Sequence, residues 1–167
     1  MLFKKIGTLL SLCLFAMGLS AQTNIDFTKY TLDNGLKVIL HQDATAPIVA
    51  VSIMYEVGGK DSFEGRTGFA HFSEHLLFEG SKNIKRGEYA KYVEDAGGVL
   101  NANTSQDRTY YYELLPSNQL ELGLWLESER LLHAVVDQEG VNTQLSVVKE
   151  ERRQRMDNQP YGNPHYK

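Results

Sequence analysis

"GFAHFSEHLLFEG", residues 68–80, is the stretch on which the reading of this chain turns. His71 and His75 stand four apart in it, with Glu74 immediately before the second histidine. A helix turns about 100° per residue, so these positions share a face and both imidazoles can reach one ion. Glu74 lies beside them and leans to the side. Phe69, Phe72, Leu76, Leu77 and Phe78 make the segment largely apolar, so a buried helix is expected. Polar groups on a buried helix need partners, and a metal satisfies three at once. Zinc accepts two histidines and a carboxylate and keeps a fourth position for water. That water loses its proton near neutral pH, and a nearby carboxylate that does not coordinate can carry the proton. The bland alternative is a solvated helix face on which three polar residues coincide.

A third ligand must come from elsewhere. "SVVKEERR" (146–153) offers Glu150 and Glu151. Glu151 is three and four residues from Val148 and Val147, which puts it beside an apolar face. Glu150 is also near Val147, so helical spacing does not choose between them.

The flanking segments supply a scaffold. "FTKYTLDNGLKVILHQD" (27–43) reads as two extended pieces joined at Asp33-Asn34-Gly35, because Asn-Gly tolerates the positive φ of tight hairpins. "PIVAVSIMYEVGG" (47–59) is β-branched and aromatic and ends at two glycines, so it is predicted to be a strand. Thr67 is a candidate cap for the metal-motif helix. A short helix is predicted over 87–98, stopped by a glycine pair, then two strands around a polar turn over 99–116. "SNQLELGLWLESERLLHAV" (117–135) carries Leu120, Leu124, Trp125 and Leu131 at helical spacing, with Ser117 as candidate cap; these apolar residues are expected in the core. A last helix is predicted from about Asp137 to Arg155, followed by turn-like sequence. The order points to α+β, with a mixed or antiparallel sheet and helices packed on one face.

Residues 1–21 stand apart. Lys4 and Lys5 precede an apolar run that is too short to span a bilayer, and "LSA" ends it in small residues. This is the pattern of an export signal cleaved after Ala21, which implies a periplasmic or secreted protein with no stable membrane insertion afterwards. Cleavage removes both lysines and no acidic residue, taking the net charge from −4 to −6. It also removes Cys13, the only cysteine, so residues 22–167 can form neither a disulfide nor a thiolate metal site. The acidic balance and the lack of a basic patch give no reason to expect a nucleic-acid partner.

Together, "GFAHFSEHLLFEGS", "GGVLNANTSQDRTYYY" and "VVKEER", in this order and spacing, resemble the pitrilysin/insulinase family of zinc peptidases, whose motif is H-x-x-E-H. The likeness runs from roughly Tyr30 to Arg155. It implies one Zn2+ held by His71, His75 and Glu151, the last standing 76 residues after His75, with Glu74 as catalytic general base. It also implies that Asn101 and Ala102, in "NANTS", border the cleft and bind an extended peptide or unfolded polypeptide by strand addition. Family members often have an acidic residue seven positions before the third ligand; here Gln144 stands there, able to hydrogen-bond but not to add charge. The family fold resembles a clamshell of two halves, each of two related α+β domains, and the second half contributes an arginine–tyrosine pair that grips substrate.

The expectation is a zinc metalloendopeptidase whose N-terminal, zinc-bearing part is this chain, an incomplete first domain that a second half or subunit would complete. Alone it is expected to bind zinc weakly and to hydrolyse peptides poorly or not at all. A non-catalytic structural or partner subunit of the same family is the alternative, and a peptide-binding module using the sheet edge is a third. His41, His133 and His165 have no partner at ligand spacing and are expected to be structural or superficial. Tyr110-Tyr111-Tyr112 is expected to pack as a strand with its middle residue facing the other way.

Overall fold

The computed structural model describes residues 25–158. The expected export signal, Cys13 and His165 lie outside the described residues. The chain divides into two compact units, Met1–Ala46 and Pro47–Lys167. Among the described residues no helix is long and apolar enough to cross a membrane.

The first unit contains an antiparallel hairpin of β1 (Thr28–Thr31) and β2 (Lys37–Leu40), with Thr28 opposite Leu40 and Thr31 opposite Lys37. Its turn forms where the Asn-Gly pair predicts it. Gly35 takes φ +87°, and Asn34 Oδ1 accepts from the Leu36 amide.

The second unit contains β3 (Ile48–Tyr55), α1 (Phe69–Leu76), α2 (Glu88–Asp95), β4 (Val99–Thr104), β5 (Thr109–Pro116), α3 (Leu120–His133) and α4 (Gln138–Arg152). Its three strands form an antiparallel sheet in the order β3-β5-β4. Along central β5, Thr109, Tyr111, Glu113 and Leu115 are buried, while Tyr110, Tyr112 and Leu114 turn to the opposite face. This period-two alternation marks the face that the helices cover. The core gathers Ile84, Tyr89, Val93, Leu115 and Leu126, with Phe78, Leu100 and Trp125 against it. Gly123 lets α3 lie close on the sheet: a Cβ there would sit 2.8 Å from Val51 Cγ2.

Three expectations need correction. Thr67 does not cap α1; the cap position is Gly68 at φ +82°, a left-handed conformation that glycine adopts without steric penalty. Ser117 does not cap α3 either. Its amide donates to Pro47 O, and Ser117–Gln119 make a short 3-10 turn before the helix begins. Leu120, Leu124 and Leu131 are 42%, 55% and 41% exposed, so they are not core. The buried side of α3 carries Gly123, Leu126, Glu127 and Arg130, about a quarter turn away. Trp125 is packed as expected, edge-on against Tyr92.

The polar inward face of α3 has a physical explanation. The Arg130 guanidinium is buried among the rings of Phe78, Tyr89 and Tyr111, each 4.2–4.6 Å from its centre. It bonds both carboxylate oxygens of Glu127 at 3.1 Å and donates to Leu77 O at the end of α1. Such stacking, and a carboxylate whose two oxygens share the Nε–H, offset the desolvation of a buried charge.

Candidate metal centre

The chemistry-bearing side chains come from α1, α4 and the end of β4. The helix α1 places His71 and His75 one turn apart, with Nε2 atoms 3.2 Å from each other and rings edge-to-face. The helix α4 begins where Asp137 accepts from the Gly140 amide, and it runs across to deliver Glu151. Glu151 Oε1 lies 3.6 Å from His75 Nε2, and Oε2 lies 3.6 Å from His71 Nε2. One potential ligand atom from each of these three residues lies within 4.8 Å of the others. Ligands at about 2.0–2.2 Å around a tetrahedral zinc ion stand roughly 3.3–3.6 Å apart, so this set fits such an ion. The donor chemistry fits too: Glu151 Oε2 is buried and has no hydrogen-bond partner among the described residues, its neighbouring cation Arg155 being 3.6 Å away. Glu150, which helical spacing left in contention, points elsewhere, accepting from Arg153 and Gln154. His71 and Glu151 keep 35% and 28% of their side-chain surface open, so the centre can be approached from solvent.

Glu74 is buried next to this group, and its Oε2 accepts from Thr104 Oγ1 at the end of β4. Thr109, which lies 3.3 Å from Thr104, gives its own hydroxyl proton to Val57 O, and Thr104 gives its single proton to the closer acceptor, the Glu74 carboxylate. Tyr111 OH donates to the Glu74 carbonyl and ties the helix to the sheet. Burial raises the Tyr111 hydroxyl well above its usual pKa, keeping it a donor. A mostly apolar cavity of about 230 Å³ lies beside Glu74, bounded by Tyr55, Val57, Phe63, Phe69 and Tyr111.

Asn101 and Ala102 sit on β4, which among the described residues pairs only with β5. Asn101 is exposed, and its Oδ1 accepts from the Ala102 amide. The Ala102 amide therefore faces away from β5 and is covered by its neighbour's side chain. Gln144 reaches His75: its Oε1 is 3.1 Å from His75 Nδ1, and its Nε2 donates to Glu79 Oε1. His41 and His133 are exposed and take no part in this group. Sequence reasoning missed Thr104 and Glu79. Thr104 lies inside the quoted "NANTS". Glu79 continues the spacing of four from His71 and His75, which is a signal that could have found it.

The sequence profile described as Insulinase (Peptidase family M16) matches residues 37–163. The chain belongs to peptidase family M16. This M16 chain is 35% identical over 163 residues to "Zinc protease PqqE" of Helicobacter pylori, covering 95% of itself and 37% of that protein. It is 28% identical over 121 residues to a probable mitochondrial-processing peptidase subunit beta of Arabidopsis thaliana, covering 72% of itself and 23% of the relative. Among solved structures, a protease from Helicobacter pylori superposes with TM-score 0.79 at 36% identity, over 83% of this chain and 33% of that one. Pitrilysin superposes with TM-score 0.73 at 26% identity, over 81% of this chain and 14% of that one. The M16 chain thus spans little more than a third of the length of the first of these relatives.

Proposed function

We propose that this M16 chain carries the metal centre of an exported zinc endopeptidase acting on peptides or unfolded polypeptides. The observation that carries the reading is the meeting of His71 Nε2, His75 Nε2 and Glu151 at mutual distances suited to zinc, with Glu74 buried alongside. Zinc, when bound, supplies Lewis-acid activation of a water molecule for attack on a peptide carbonyl. His71, His75 and Glu151 hold the ion. Thr104 fixes Glu74 Oε2, which leaves Oε1 to take a proton from the attacking water and pass it to the departing amine. Asn101 and Ala102 bind the substrate backbone along β4, the Asn101 side chain giving way so that the Ala102 amide can donate to the incoming strand.

Hydrolysis is proposed for the whole protein, with a second half or subunit closing over substrate; metal binding is proposed for this chain. The test measures zinc content and peptide hydrolysis of the whole protein beside Glu74→Gln and His75→Ala variants. Glu74→Gln is expected to keep zinc and lose hydrolysis by at least about a hundredfold, the lower end for a general base. His75→Ala is expected to lose both. Zinc-free wild-type protein, or a Glu74→Gln variant as active as wild type, would overturn the reading.

A further inference from the structure

We propose that Glu79 is a positioning residue for this metal centre, acting through Gln144 to hold His75 in the tautomer that can bind an ion; this rests on the zinc reading above. The Gln144 amide spans the gap between His75 Nδ1, 3.1 Å from its Oε1, and Glu79 Oε1 on its other side. An amide can be turned either way, presenting NH2 or oxygen to the imidazole. The choice is made by what lies behind it. Glu79 is buried and ion-paired through Oε2 with Arg86, so its Oε1 can only accept. The Gln144 NH2 must therefore face Glu79, and its oxygen must face His75. That oxygen accepts a proton only from Nδ1–H, which leaves the lone pair of His75 Nε2 directed at His71 and Glu151.

The rest of the neighbourhood keeps Glu79 in place. Arg86 also pairs with Asp137 Oδ1 at 2.8 Å and Glu139 Oε1 at 2.6 Å, joining the end of the metal-motif segment to the start of α4. Gly140 makes room for this cluster: a Cβ there would lie 3.1 Å from Glu79 Oε2 and 3.3 Å from Arg86. The negative charge that position 144 lacks thus stands one hydrogen bond farther from the histidine, at Glu79.

The experiment measures zinc affinity by competition with a chromophoric chelator, on wild type, Glu79→Gln and the exchanged double variant Glu79→Gln/Gln144→Glu. In Glu79→Gln, Arg86 draws the new amide oxygen, so its NH2 faces Gln144. Gln144 then turns its own NH2 toward His75 and favours the Nε2–H tautomer. Zinc affinity is expected to fall about 10–100-fold, the usual effect of losing such a partner. In the double variant a carboxylate meets Nδ1–H directly, and the amide introduced at position 79 donates to that carboxylate. Affinity should then return to within about threefold of wild type. Wild-type affinity in the single variant, or no recovery in the double, would overturn the proposal. A second readout needs no metal and no variant: imidazole nitrogen NMR of the metal-free protein should find neutral His75 protonated at Nδ1, and protonation at Nε2 would overturn it. His75→Ala separates the two levels. If it binds zinc as wild type does, the metal reading itself fails; if it does not, the Glu79 result bears on positioning alone.

Discussion

Thr104 shows how much one hydroxyl can decide. Its bond to Glu74 is charge-assisted, a class worth about 1.5–3 kcal/mol. Thr104→Val keeps the shape and removes the donor, so kcat of the whole protein should fall by roughly 10–100-fold while zinc affinity stays unchanged. Thr104→Ser should recover most of the rate; kinetics alongside chelator competition read both quantities. A second residue of this kind is Glu113. It lies 3.5 Å from Arg130, yet Arg130 is already engaged by Glu127. Burial, and then the adjacent Glu127 carboxylate, push Glu113 up to about 9 from 4.5. The folded state therefore keeps a proton that the unfolded state releases, and stability falls as pH rises across that window. Glu113→Gln removes this dependence. It should match wild type near pH 4.5 and exceed it by about 1–3 kcal/mol near pH 8, read by urea unfolding at both values. At this scale the i, i+4 histidines were legible because a single helical turn defines their meeting. Helical spacing did not choose Glu151 over Glu150, a choice that came only with the family resemblance, and the Thr104 and Glu79 contacts were not legible, since partners 30–76 residues away in sequence decide them.

Among the elements, α3 separates periodicity from burial. Helical spacing says that Leu120, Leu124 and Leu131 share a face; it does not say that the sheet lies under it. The sheet lies under Gly123, Leu126, Glu127 and Arg130, a face whose charges disguise it in any apolar count. The strands and the Asn-Gly hairpin were easier to read because turn chemistry is local. Leu126→Ala should cost about 2–5 kcal/mol in urea unfolding, because Leu126 is fully buried. Leu124→Ala should change stability by no more than about 0.5 kcal/mol, because that side chain is over half exposed.

At the level of the whole molecule, the proposed centre joins helices far apart in sequence. At its start α4 is fastened by Asp137 and by the Arg86 ion pairs, midway by Gln144 against His75 and Glu79, whereas near its end Glu151 faces the two histidines with no hydrogen bond to them. Zinc at about a thousand times its Kd should add about 4 kcal/mol to unfolding, and a chelator should remove it; calorimetry with and without chelator measures the difference. The unequal fastening of α4 also sets how its backbone breathes. Without metal, amide deuterium uptake should rise steadily from Val141 toward Arg152, like a rope moored at one end, and loading the ion should flatten that gradient.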